Sequence, residues 1–363
     1  MQRRNEILGL FRLLAMMRRI ETVLVILAIA FYAWFLHRLG VASVLSYVRM
    51  VGWGLGVTIA LESVSRVFNA LGWRVTVAEV PRELSFVRMF QARIAGEAVD
   101  YVTPSAQLGG QFVTALMVRR RLKMAIGLAT VIVAALAEAL GQIGFISIAM
   151  LLSMRFAARF HELLWPIIGG MTLAIGLAGA FFAVQLRSPF SWLWNAAAKL
   201  DLPQLANPEI KDAAADADAI LSEFYLQHRG RFAASCLCYL VSWSMGPIEI
   251  YILLRLLHQP AEFHTVLLIE ALGQLVEKAT FMIPGKLVSQ EGGKALILSL
   301  LGYPAEIGFV IGFLRRIKEM VWVLFGIAAL LEHRFIEERG KSVTQSEAES
   351  ASYRFDRAVA RGK

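Results

Sequence analysis

The sequence predicts an all-α integral membrane protein with six full transmembrane helices and two re-entrant helical hairpins, related as an inverted repeat. Three observations lead there. The 363-residue chain is 57% hydrophobic with mean hydropathy +0.59, above the 45–50% usual for soluble domains. Its charged residues, 18% of the total, gather between long apolar runs. Two further apolar stretches are each interrupted by a polar, Pro- and Gly-bearing kink.

At about 20 residues per crossing, full spans fall at 20–38, 50–70, 124–148, 163–186, 231–256 and 305–332. The basic N-terminus, residues 1–19, carries Arg3, Arg4, Arg12, Arg18 and Arg19 and reads as cytoplasmic, followed by a retained signal anchor. A second basic mark, Arg119, Arg120, Arg121 and Lys123, follows the broken segment 84–118. Two full spans already return the chain to the cytoplasm, so that segment must enter and leave on one side. It reads as a hairpin with its tip at "TPSAQLGG". The same count makes the broken segment 264–302 a hairpin entered from the opposite face. Residues 20–332 thus form one transmembrane domain, with half-repeats at 20–150 and 163–332. Both termini are cytoplasmic, as is the loop 187–230, which reads as an interfacial helix followed by a helical loop with a solvated acidic run, "KDAAADADA". Residues 333–363 read as a disordered cytoplasmic tail.

The second tip, "FMIPGKLVSQEGGKA", shows why the interruptions matter. Unpaired backbone groups in hydrocarbon cost several kcal/mol each, so irregular chain survives there only inside protein or beside a polar cavity. Proline ends one half-helix, and glycines let the next begin. A restarted helix offers free N–H groups to an anionic or hydroxyl group. In inverted-repeat proteins such broken elements frame the substrate site near the midplane. The tips are similar: Pro104 precedes Gly109, Gly110 and Gln111, while Pro284, Gly285 and Lys286 precede Gln290, Glu291, Gly292 and Gly293.

The last span carries Arg315, Arg316, Lys318 and Glu319 near its middle. Each charge costs roughly 2.5–3.5 kcal/mol at such a depth. Pairing of either arginine with Glu319 within the helix leaves net positive charge, so another carboxylate or a ligand anion is expected. Glu291, Glu277 and Glu138 are the candidates. Glu62 and Arg66 form an i, i+4 pair that can satisfy itself, and Glu249 follows an expected kink at Pro247.

Other chemistries find little support. Cys236 and Cys238 lie two apart in an apolar helix and cannot pair. The six histidines lack ligand spacing. No nucleotide loop or hydrolase motif occurs, so no cofactor, no metal and no enzymatic activity are expected. The net charge of +9 suits anionic lipid heads better than nucleic acid.

"IPGKLVSQEGG" and the arginine-bearing last span resemble the lysylphosphatidylglycerol-synthase-type transmembrane, flippase-like family, whose pattern is Pro-Gly-x-Leu-x-x-x-Glu-Gly. "VTPSAQLGGQFVTALMVRR" is similar to that family's earlier Thr-Pro…Gly-Gly…Arg element. The "QEGG" and "LRR" forms look most like the branch associated with hopanoid biosynthesis. Lys286 and Val288 stand where the family commonly has glycine, and Gln111 where it often has an acid. About 30 residues follow the last span, so lysine transfer to lipid is not expected of this chain. The resemblance implies a bacterial inner-membrane protein whose partners are membrane lipids. It would move a lipid or polyisoprenoid, a hopanoid among them, with proton or ion coupling, as a homo-oligomer or beside a lipid-biosynthesis enzyme. The alternative is a non-catalytic accessory subunit that scaffolds lipid-modifying or glycosyl-transferring enzymes.

Overall fold

The computed structural model describes residues 41–77, 84–102, 108–157, 208–279 and 289–361, with Pro81 and scattered positions between 165 and 195. The N-terminal segment 1–19, the expected span 20–38, most of 163–186 and both hairpin tips, with Pro104, Pro284, Gly285 and Lys286, lie outside the described residues. The described chain is helical and has no strand.

Helix α1 (Val41–Val51) turns into α2 (Gly54–Thr76) at Gly52, whose φ of +50° only glycine adopts without strain. The first broken segment forms α3 (Phe86–Val102) and α4 (Leu108–Val118), and α5 (Met124–Ala157) covers the third expected span. After the scattered stretch come α6 (Pro208–Gln227), α7 (Arg229–Trp243) and α8 (Met245–Leu256). The second broken segment forms α9 (Phe263–Ala279) and α10 (Ser289–Leu300), and α11 begins at Ala305.

The fifth span is interrupted at Ser244, within the turn before Pro247, where a proline ring crowds the carbonyl four residues back and has no N–H to donate, so the expected kink is present. Two expectations change. Helix α11 runs on to Arg361, so the tail read as disordered is helical over 333–361; its alanines and alternating charges favour helix. The run "KDAAADADA" is not wholly solvated. Asp218 is buried and accepts the backbone N–H groups of Phe190 (3.0 Å) and Ser191 (2.8 Å).

Among the described residues, Met124–Ser153 and Arg229–Leu256 are long and apolar enough to cross a membrane unaided. The outer surface is greasy: Leu151, Leu237, Leu296 and Leu324 are each at least 58% exposed, while Arg93, Glu249, Glu291 and Arg315 are at most 6% exposed. That inside-out distribution is what lipid solvent selects.

The contacts come in matched pairs. Helix α4 packs on α5 as α10 packs on α11, and α2 meets α3 as α8 meets α9. The first arms cross over: α3 packs on α11, and α9 packs on α5. Set side by side without gaps, "FVRMFQARIAGEAVDYV" and "FHTVLLIEALGQLVEKA" place Gly96 opposite Gly273, Asp100 opposite Glu277 and Arg93 opposite Glu270. Two large apolar cores result, beside two smaller clusters around Trp322 and Leu221. One gathers Trp73, Met89, Val131 and Tyr239; the other gathers Ile250, Leu268, Leu298 and Ile311. Helix α5 serves both, giving Ala134 to the first and Phe145 to the second.

Candidate functional site

Between the two cores the helices turn charged side chains inward. On α11, Arg315, Lys318 and Glu319 share a face through i, i+3 and i, i+4 spacing, and Arg316 lies one position around. Helices α2 and α3 each present an i, i+4 pair, Glu62 with Arg66 and Arg93 with Glu97. Helix α8 contributes Glu249, and α9 contributes Glu270 and Gln274.

These groups join in a circuit that begins and ends on α5. Glu138 accepts from Arg93 Nη2 at 2.5 Å and from Asn69 Nδ2 at 3.4 Å. Arg93 lies 3.6 Å from Glu97, which pairs closely with Arg66; Arg66 reaches Glu62 at 3.2 Å. Lys318 bridges Glu62 (2.9 Å) and Glu249 (2.8 Å). Arg315 then links Glu249 (3.0 Å) to Glu270 (2.8 Å) and donates to the Gly246 carbonyl at 3.1 Å. Gln274 donates to Glu270 at 2.8 Å and accepts from Gln142 of α5 at 2.7 Å. Removing one member of such a buried circuit leaves its neighbour's charge uncompensated.

The circuit lines a cavity of about 230 Å3, roughly the room of seven or eight waters. Glu138, Arg315 and Glu319 line it, and so does Glu277, with Ser65, Ser242 and Thr58 among the neutral polar neighbours.

A second cluster joins the hairpins. Glu291, fully buried at the start of α10, is held by Arg316 through Nε and, at 3.0 Å, through Nη2. Arg316 also donates to the Tyr101 hydroxyl at 3.2 Å. Tyr101 closes the first arm of one hairpin and Glu291 opens the second arm of the other, so Arg316 ties the two kinked regions together. Gln290 donates to Glu319 at 3.2 Å. In the first hairpin, the Gly110 N–H donates to Asp100 at 2.7 Å, and Gln111 accepts from Arg93 at 3.1 Å. Gly109 and Gly292 are half-buried. A Cβ on Gly293 would lie 2.8 Å from Val276.

Of the residues the sequence singled out, Glu138, Arg315 and Glu319 reach the cavity, while Gln290, Glu291 and Arg316 form its neighbouring wall. Gly110, Gln111 and Gly293 act in packing and hairpin closure. The expected extra carboxylate exists several times over. Among the described residues, seven glutamates line the cavity with Arg66, Arg315 and Lys318. The Glu62–Arg66 pair is not self-contained, since Glu62 also holds Lys318 and Arg66 also holds Glu97. Arg93, Glu97 and Glu270 were not singled out. The signal that finds them is the register between α3 and α9, which sets Arg93 against Glu270 and Glu97 against Gln274.

Among the described residues, no group of three or more His, Cys, Asp or Glu side chains is placed to hold a metal ion. No curated protein and no solved structure matches the chain. The family model for the lysylphosphatidylglycerol synthase TM region matches residues 22–327. That match covers most of the chain, including every charged residue of the circuit, and this protein belongs to the lysylphosphatidylglycerol synthase transmembrane-region family.

Proposed function

We propose that this protein is a lipid translocator of the bacterial inner membrane, with six crossings, two re-entrant hairpins and both termini in the cytoplasm. A lipid's polar head would pass through the charged cavity while its tail stays in the surrounding bilayer. The role is non-enzymatic, and the cargo is a lipid or polyisoprenoid, with hopanoids among the candidates. The observation that carries this reading is the circuit of ion-paired charges around a polar cavity, buried at Arg93, Glu249, Glu270, Arg315 and Lys318. Each charge is costly at membrane depth, and packing alone has no use for so many. Paired hairpins framing a polar midplane site match the architecture of secondary transporters.

The test is lipid movement in reconstituted vesicles, read by quenching of a fluorescent phospholipid and of a fluorescent polyisoprenyl phosphate. Wild type should move at least one of them. Glu138→Gln and Glu319→Gln, which alter the lining, should each lower the rate by about tenfold or more, equivalent to about 1.4 kcal/mol on the barrier. If the variants insert normally and move lipid at the wild-type rate, the cavity is not the route. If wild type moves neither lipid but retains a lipid-biosynthesis enzyme on purification, the accessory-subunit alternative takes its place.

A further inference from the structure

Apart from the charged cavity, the described residues frame an apolar one of about 260 Å3. Phe145 and Ala149 of α5 and Leu267 of α9 form its floor, each at most 7% exposed. Ile148 of α5, Ile248 of α8 and Phe263 of α9 stand at its rim, each at least 44% exposed. Its walls include both of the described stretches that are long and apolar enough to cross a membrane. Phe145 lies eight residues before Ser153 at the end of one, and Ile248 eight before Leu256 at the end of the other. At 1.5 Å per residue that is about 12 Å inward, past the headgroups and within hydrocarbon. The cavity offers water little. Its hydroxyl, that of Ser244, donates back to the Leu240 carbonyl at 2.8 Å, and Pro247 has no N–H. Apolar cavities stay dry and accept apolar guests.

We propose that this cavity is a binding site for one fatty-acyl chain of a phospholipid, entered sideways from the bilayer between Ile148, Ile248 and Phe263. The rim belongs to the greasy outer surface, and the guest which that surface meets is the acyl chain of the surrounding lipid. The position beside the charged cavity gives the seat a use. Ser242, Met245, Gly246 and Glu249 line the charged cavity, whereas Leu240, Ser244, Pro247 and Ile248 line the apolar one. One interrupted helix, α7 with α8, therefore divides a polar chamber from a slot for a tail, and its break at Ser244 lies in that partition. A chain in the slot stays continuous with the bilayer while its head stands next to the partition. The seat itself stands on shape, polarity and depth. That the seated lipid is the cargo rests on the translocation reading above.

The experiment places the full chain in phosphatidylglycerol nanodiscs doped with phosphatidylglycerol that carries a diazirine at the end of one acyl chain. After illumination, peptide mass spectrometry locates the attached lipid. Lipid that merely surrounds the protein reaches exposed residues such as Leu237 and Leu324, whereas a seated chain also reaches the floor. Adducts are expected on Phe145 and Leu267, and none on Leu253 and Leu254, which are buried but line neither cavity. Ser244→Phe, which fills the slot, should lower the floor adducts by about tenfold and leave those on Leu237 and Leu324 unchanged. Should that variant fail to fold, Ile248→Trp at the exposed rim narrows the entrance and carries the same expectation. Adducts confined to exposed residues mean that another segment or a second copy of the chain covers the cavity, and overturn the proposal. Floor adducts that a folded filling variant leaves intact overturn it too, as do adducts spread equally over Leu253 and Leu254. The assay reads no lipid movement, so the seat and the translocation reading fail separately.

Discussion

Arg316 shows what a single buried charge does here. It neutralises Glu291, which has no exposed surface, and reaches across to Tyr101 on the other hairpin. Arg316→Ala should therefore destabilise the protein by about 3–5 kcal/mol, because fully buried Glu291 loses its charged partner and two hydrogen bonds. The measure is the unfolding midpoint in a denaturing-detergent titration. The double variant Arg316→Met with Glu291→Leu should recover most of the loss, since well-packed apolar residues often replace a buried pair without penalty. A single-variant cost below about 1 kcal/mol would show that the pair is solvated. At this scale the sequence was partly legible. Four ionisable residues within five positions of an apolar helix announce a buried site whatever surrounds them. Which carboxylate meets which cation depends on how helices rotate against one another, and only packing decides that. Glu291 drew attention because it follows Pro284 and Gly285 in the sequence. Glu270 was hidden as a lone acid within "TVLLIEALGQ", with nothing local to mark its face.

At the scale of elements, the hairpin arms depend on close approach. An added Cβ at Gly96 would sit 2.5 Å from the Gly110 carbonyl oxygen and would overlap Thr114. Gly96→Ala should cost about 1–3 kcal/mol by overpacking and part α3 from α4. Gly56→Ala, at a position with open space around it, should be neutral or stabilise by up to about 1 kcal/mol. Thermal melting of the two variants side by side checks both. If Gly96→Ala melts with Gly56→Ala, the arms are not in contact. The arms could be recognised from sequence because each apolar run is too short to cross and ends in proline and glycine. The interruption at Ser244 was legible too, since it lies in the turn that Pro247 disturbs. Helix α7 is fixed from outside, by Arg231 donating to the Val75 (2.9 Å) and Val77 (2.5 Å) carbonyls and by Tyr239 against Gly72.

Across the whole molecule, the opposed orientation of the two halves is the feature to test. Single cysteines at Ser105 and Ser289, in a chain freed of Cys236 and Cys238, report it through a membrane-impermeant thiol reagent. The inverted arrangement expects slow labelling, with Ser105 reached from the cytoplasm and Ser289 from the opposite side. Full bulk reactivity of both from one side would remove the inverted repeat. Basic clusters give the order of halves expected from sequence, because positive loops stay in the cytoplasm. The crossing of α3 onto α11 and of α9 onto α5 left no such mark, being a long-range contact with no composition of its own.

That crossing bears on how the protein is made. The Ile94 carbonyl and Ala98 in α3 meet Gly326 in α11, more than two hundred residues later in synthesis. The newly inserted first half must wait in the bilayer with its seam open until the final helix leaves the ribosome. Severed between residues 196 and 207, the two fragments should each be degraded when produced alone and accumulate only when produced together.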